Sequence, residues 1–96
     1  MNRGATGELS VLVVDDDELV RRTFCRVVER AGLSVIEAED GVSGLARFRE
    51  HKPSAVLLDL RMPGKDGLDV LTSLVTESPE TPVLVVSGEG TMSDVV

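Results

Sequence analysis

The chain has 96 residues, 42% of them hydrophobic and 28% charged, and a formal net charge of −7. That size and balance suit one small soluble domain, able to bury only roughly 60–65% of the surface its unfolded form exposes. The acidic excess argues against broad electrostatic attraction to nucleic acid or to an anionic membrane, and the single cysteine, Cys25, excludes an intramolecular disulfide and a cysteine-rich zinc site while fitting a reducing, cytoplasmic setting.

Residues 1–8, MNRGATGE, are expected to be a flexible arm ahead of a domain spanning 9–96. The run at 9–14 is too short for a signal segment or a membrane span, and it closes on Asp15, Asp16 and Asp17. Its Leu9, Val11, Leu12, Val13 and Val14 form the near-continuous apolar pattern of a strand covered on both faces. Across 17–31, Leu19, Val20, Phe24, Val27, Val28 and Ala31 recur at helical spacing, and Gly32 suits the left-handed residue after a helix end. Asp17 is expected to cap this helix, Phe24 and Cys25 to pack in it, and Arg21 and Arg22 to form a surface pair. Residues 33–37, LSVIE, predict a second strand, and Glu39-Asp40-Gly41 a turn. Val42, Leu45, Ala46 and Phe48 then put an apolar stripe on a second helix, which Lys52-Pro53 ends, with His51 solvated near its terminus. Residues 55–60 predict a third buried strand running into Asp59. Beyond the Met62-Pro63-Gly64 turn, Leu68, Leu71, Leu74 and Val75 fall at helical spacing, with Val70 beside the stripe. Pro79 and Pro82 bracket a turn into a fourth strand, Val83–Val86, which ends at Ser87; residues 92–96 are expected only to begin another helix.

Such alternation predicts a parallel, doubly wound α/β sheet with right-handed crossovers and helices on both faces. Chemistry in these sheets collects at the carboxyl ends of the strands, near the switch in strand order. The residues there are Asp15, Asp16 and Asp17 after the first strand, Asp59 after the third and Ser87 after the fourth. Carboxylates gathered at one edge repel, increasingly so as water is excluded, and a hard divalent cation relieves the repulsion. Mg2+ takes one or two carboxylates together with phosphate oxygens. The pattern therefore points to a magnesium site that accepts a phosphoryl group, with one aspartate as nucleophile and Ser87 as a hydrogen-bond donor to a phosphoryl oxygen.

The segments VLVVDDDE (11–18), LLDLRMPGKDG (57–67) and PVLVVSGEG (82–90) resemble three ordered landmarks of bacterial response-regulator receiver domains. Their occurrence in order, each after a predicted strand, makes the resemblance specific. It implies a flavodoxin-like receiver fold of strand order 2-1-3-4-5, with Asp59 as phosphoacceptor. Asp15 and Asp16 match the acidic pair; Asp16 is implied as a direct Mg2+ ligand and Asp15 as one acting mainly through water. The backbone carbonyl of Arg61 is implied as a further ligand, Ser87 as the switch hydroxyl and Gly88 as the small residue beside it. The implied partners are a sensor histidine kinase or phosphotransfer protein as donor, and an output domain or downstream protein as recipient. The receiver itself is a signalling module rather than an enzyme, although an attached output domain can be one.

The chain departs from the family pattern where the fifth strand, its terminal lysine and the fifth helix are expected. Lys52 and Lys65 are the only lysines, and Lys65 occupies a variable loop position. The expectation is an incomplete receiver with a bare edge on the fourth strand and a partly uncovered sheet face, inviting self-association. Two other classes fit parts of the sequence. Asp15-x-Asp17 after an apolar strand also suits a haloacid-dehalogenase-type phosphatase in which Asp15 attacks and Asp17 serves as acid and base. A receiver-shaped interaction module without phosphorylation is the other; labelling of Asp59 against Asp15, and titration with magnesium, discriminate among them.

Overall fold

A computed structural model describes residues 9–61, 67–86 and 92–94. Met62-Pro63-Gly64, Lys65, Ser87 and Gly88 lie outside the described residues, as does the arm at 1–8. The chain runs through β1 (Ser10–Val14), α1 (Glu18–Arg30), β2 (Ser34–Ala38), α2 (Gly41–His51), β3 (Ala55–Asp59), α3 (Gly67–Glu77), β4 (Val83–Val86) and β5 (Met92–Asp94). In the sheet the order is β2-β1-β3-β4-β5, with the first four strands parallel.

The apolar strands are explained by cover on two faces. Leu12 and Val14 of β1 point into a cluster with Leu45 and Phe48 of α2, Val56 and Leu58 of β3, Val70 and Leu74 of α3, and Val83 and Val85 of β4. Val11 and Val13, one residue out of phase, point the other way onto Cys25 and Val28 of α1. Period-two alternation thus supplies both layers, and from Val11 to Val14 no position is left for a polar residue until Asp15.

Helix faces differ from the sequence expectation. Leu19 and Val27 of α1 are well exposed, as are Val42 of α2 and Leu68 of α3, whereas Val70, expected beside the stripe, has no exposed surface. The sheet selects which part of a broad apolar sector is buried, and the spacing alone does not carry that choice.

The caps follow local chemistry. Asp17 accepts from the backbone N–H groups of Leu19 (3.0 Å) and Val20 (3.2 Å), satisfying donors that the first turn of α1 leaves unpaired. Asp40 and Ser43 form a capping box at the start of α2, with Ser43 N–H donating to Asp40 Oδ1 at 2.7 Å. Gly32 takes a φ of 87° after α1, and Lys52 takes a φ of 48° after α2, before Pro53.

Residues 92–94 correct two expectations. They form a strand rather than a helix, and that strand pairs antiparallel with β4, Val86 opposite Met92 and Leu84 opposite Asp94. A four-stranded parallel sheet ending at β4 would leave a row of unpaired N–H and C=O groups on that edge, and β5 pairs along it. Self-association through a bare β4 edge therefore loses its premise. The uncovered face persists as an apolar groove of about 330 Å³, lined by Phe24, Val27 and Val28 of α1 with Val11, Ala55, Leu57 and Leu84 of the sheet.

Candidate functional site

The register delivers the acids to one edge. Val14 lies beside Leu58 in the β1–β3 ladder, so the next residues, Asp15 and Asp59, emerge side by side at the carboxyl end of the sheet. On its other side β1 runs beside β2, and β3 beside β4, which puts the switch in strand order between these two acids. One carboxylate oxygen from each of Asp15, Asp16 and Asp59 lies within 4.8 Å of the others.

Their surroundings differ. Asp15 is buried, Asp16 exposed and Asp59 intermediate. The Asp15 carboxyl is pushed up from its ordinary 3.8 to about 6, first by burial and then by the charges and proximity of Asp59 and Asp16, against a lowering contribution from the Asp17 N–H. That N–H donates to Asp15 Oδ1 at 2.9 Å, while Arg61 N–H donates to Asp59 Oδ1 at 2.9 Å. Asp15 and Asp59 are thus each oriented by a backbone donor two residues downstream, an Asx-type closure that suits aspartate and not glutamate.

Oxygen-only donors of high charge density, one of them destabilised as an anion first by burial and then by its neighbours, fit a hard divalent cation. Asp15, Asp16 and Asp59 would hold Mg2+, and among the described residues no histidine or cysteine stands with them to favour zinc. Asp17 is not in the cluster. Its carboxylate is engaged at the N-terminus of α1, so the Asp-x-Asp reading lacks its acid and base, and nothing favours the phosphatase alternative.

Arg21 was missed. Instead of forming a surface pair with Arg22, its side chain is 13% exposed and reaches back to the start of the turn after β1. Its Nη1 donates to the Asp15 carbonyl at 2.8 Å, and its Nε donates to Glu37 Oε1 of β2 at 2.9 Å. Arg22 instead pairs on the surface with Glu18, one helical turn back. A sequence signal existed in the complementary charge of Glu37 near the end of the neighbouring strand.

Comparison with known proteins bears on the same residues. The pattern of the response regulator receiver domain matches residues 11–96. The response regulator MprA of Mycobacterium sp. (strain KMS) is 40% identical over 84 residues, which cover 88% of this chain and 36% of that protein. A protein-glutamate methylesterase/protein-glutamine glutaminase of Natronomonas pharaonis is 39% identical over 80 residues, covering 82% of this chain and 22% of the relative. This chain therefore spans about a third or less of those relatives' length. Among solved structures, the Vibrio cholerae chemotaxis protein CheY4 superposes with a TM-score of 0.79 at 27% identity, over 88% of this chain and 72% of the other. With its family pattern matched from Val11 onward and its acids gathered at the β1–β3 switch point, the chain belongs to the response regulator receiver domains of two-component signalling.

Proposed function

We propose that Asp59 accepts a phosphoryl group from the phosphohistidine of a sensor histidine kinase or phosphotransfer protein. The observation that supports this most is the convergence of Asp15, Asp16 and Asp59 from two strands onto one point at the switch in strand order. An Asp59 oxygen attacks phosphorus, the new O–P bond forms as the P–N bond breaks, and the electron pair departs with the imidazole. Mg2+, when bound, supplies the positive charge that offsets the phosphoryl oxygens and the three acids. Asp16, exposed, and the Arg61 carbonyl serve as ligands, while buried Asp15 holds its share of the site through the Asp17 turn. The Arg61 N–H bond fixes the rotation of the Asp59 carboxylate before attack.

In the same reading Ser87 donates its hydroxyl to a phosphoryl oxygen, and the acyl phosphate biases the surface around β4 between two states with different affinities for an output domain or downstream protein. Any enzymatic activity belongs to such an output domain. A reducing, cytoplasmic setting is part of the proposal; among the described residues no helix is long and apolar enough to cross a membrane.

Incubation with a small acyl phosphate and Mg2+, followed by intact-mass measurement, tests this reading: one phosphoryl increment on the wild type supports it, and none counts against it. Asp17→Ala separates the receiver from the phosphatase. Loss of the cap is expected to cost about 1 kcal/mol in a denaturant titration while labelling persists; loss of labelling in a folded variant would favour catalysis by Asp17.

Acid competes with the cation for Asp15. Its carboxyl titrates near 6 in the cation-free fold, so Mg2+ binding is expected to be about tenfold weaker at pH 5 than at pH 7, measured calorimetrically. The sign for stability is opposite to that of a paired carboxylate. With the folded value raised above 3.8, the fold binds this proton more readily than the unfolded chain, so the cation-free protein loses this contribution as pH rises through about 6. Saturating Mg2+ should flatten that loss, and a cation affinity independent of pH between 5 and 7 would contradict the assignment of Asp15.

A further inference from the structure

The short turn from Asp15 to Asp17 carries the two clustered acids that follow β1, and it is tied down on both sides of Asp16. Asp15 N–H donates to Ala38 O of β2 at 3.1 Å, and Asp17 N–H donates to Asp15 Oδ1. Asp17 Oδ1 also accepts from the Leu19 and Val20 N–H groups, and two further ties come from a single residue of α1. Arg21 N–H donates to the Asp17 carbonyl at 2.8 Å, and Arg21 Nη1 donates to the Asp15 carbonyl at 2.8 Å. The backbone tie is the ordinary first bond of a capped helix, which any residue can make. The side-chain tie is specific to arginine, because the planar guanidinium serves two acceptors at once, the Asp15 carbonyl through Nη1 and Glu37 Oε1 through Nε.

The guanidinium makes no hydrogen bond to the carboxylates of Asp15, Asp16 or Asp59. It is directed at the carbonyl behind them, so it leaves their oxygens available to a cation while fixing the backbone from which they project. A lysine here has one short-range ammonium and cannot keep both acceptors in the same plane. An apolar residue of similar length would leave the carbonyl without this donor and the Glu37 carboxylate without its partner.

We propose that Arg21 is a positioning residue for the acidic pair, setting the cation affinity of the site through the Asp15 carbonyl. This rests on the assignment of Asp15, Asp16 and Asp59 as the Mg2+ site. Outer residues that orient ligands in this way typically alter metal affinity by about 10–100-fold. Because the tie acts on the turn rather than on a ligand atom, the lower end, about tenfold, is expected.

Mg2+ affinity measured by calorimetry on the whole chain tests the proposal, with circular dichroism as the check of folding. Arg21→Met keeps the aliphatic stem and should weaken Mg2+ binding about tenfold with the fold retained. Arg21→Lys should recover only part of the loss. Glu37→Gln, which leaves Arg21 free to reach the carbonyl, should have a smaller effect than Arg21→Met. Arg49→Met is the control for loss of an arginine pair elsewhere: it breaks the bidentate contact with Glu77 between α2 and α3 and should leave Mg2+ affinity unchanged. A folded Arg21→Met protein with wild-type affinity overturns the positioning role while leaving the site assignment standing. Equal losses in Arg21→Met and Arg49→Met overturn it too, since they report general destabilisation. If Arg21→Met does not fold, the comparison of Arg21→Lys with the wild type decides: equal affinity overturns the role, and a folded Arg21→Lys with weaker binding sustains it. A wild-type chain that binds no Mg2+ overturns the site assignment and the role of Arg21 together.

Discussion

Asp59→Asn is expected to take up no phosphoryl group from a small acyl phosphate under conditions that label the wild type, as read by intact mass. A carboxamide presents no anionic oxygen for attack, and neighbouring Asp15 and Asp16 do not replace it, because one is buried and held by the Asp17 N–H and the other is on the exposed side of the cluster. The same substitution removes one of the charges that raise the Asp15 carboxyl, after the larger effect of burial. Asp59→Asn should therefore be more stable than the wild type near pH 7 without cation, and the difference should shrink as pH falls below about 6. Loss of labelling combined with a gain in stability separates removal of the nucleophile from collapse of the fold. Undiminished labelling would place the acceptor elsewhere.

Gly67→Ala is the second large effect. Gly67 opens α3, and a Cβ there would lie 2.5 Å from both Cα and O of Leu60 and 2.7 Å from its carbonyl carbon. These are backbone atoms, so no rotamer change relieves the clash. Leu60 directly follows Asp59, and its N–H reaches toward Val86 O of β4 at 3.4 Å, so displacement would disturb the end of β3 itself. The expected cost is about 3 kcal/mol or more, at the upper end for overpacking. That is a large part of the roughly 5–15 kcal/mol total available to a domain. A urea titration followed by circular dichroism should show a markedly lower midpoint, and labelling of Asp59 should fall further than the loss of folded protein explains. An unchanged midpoint would mean that α3 does not approach β3 this closely.

The elements and the acids were legible because their signals are local. Apolar runs of five or so residues, Gly32 after α1, and Asp17 and Asp40 ahead of helices each reflect chemistry confined to a few neighbours. The meeting of Asp15 with Asp59 was legible through the strand-end rule for parallel sheets, a property of topology rather than of spacing. Features set by distant contacts were not. Val70 is buried because β3 and β4 lie beneath it, and Arg21 turns inward because β2 brings Glu37 within reach. The antiparallel β5 depends on the unmet hydrogen bonds of β4, which composition at residues 92–96 does not reveal.

The residue that carries the phosphoryl group can be identified chemically. Wild-type protein labelled with an acyl phosphate in Mg2+ and then treated with borohydride converts an aspartyl phosphate to homoserine, which peptide mass mapping locates. Homoserine is expected at position 59, with intact aspartate at 15, 16 and 17. Modification at Asp15 with Asp59 unchanged would contradict Asp59 as the phosphoacceptor.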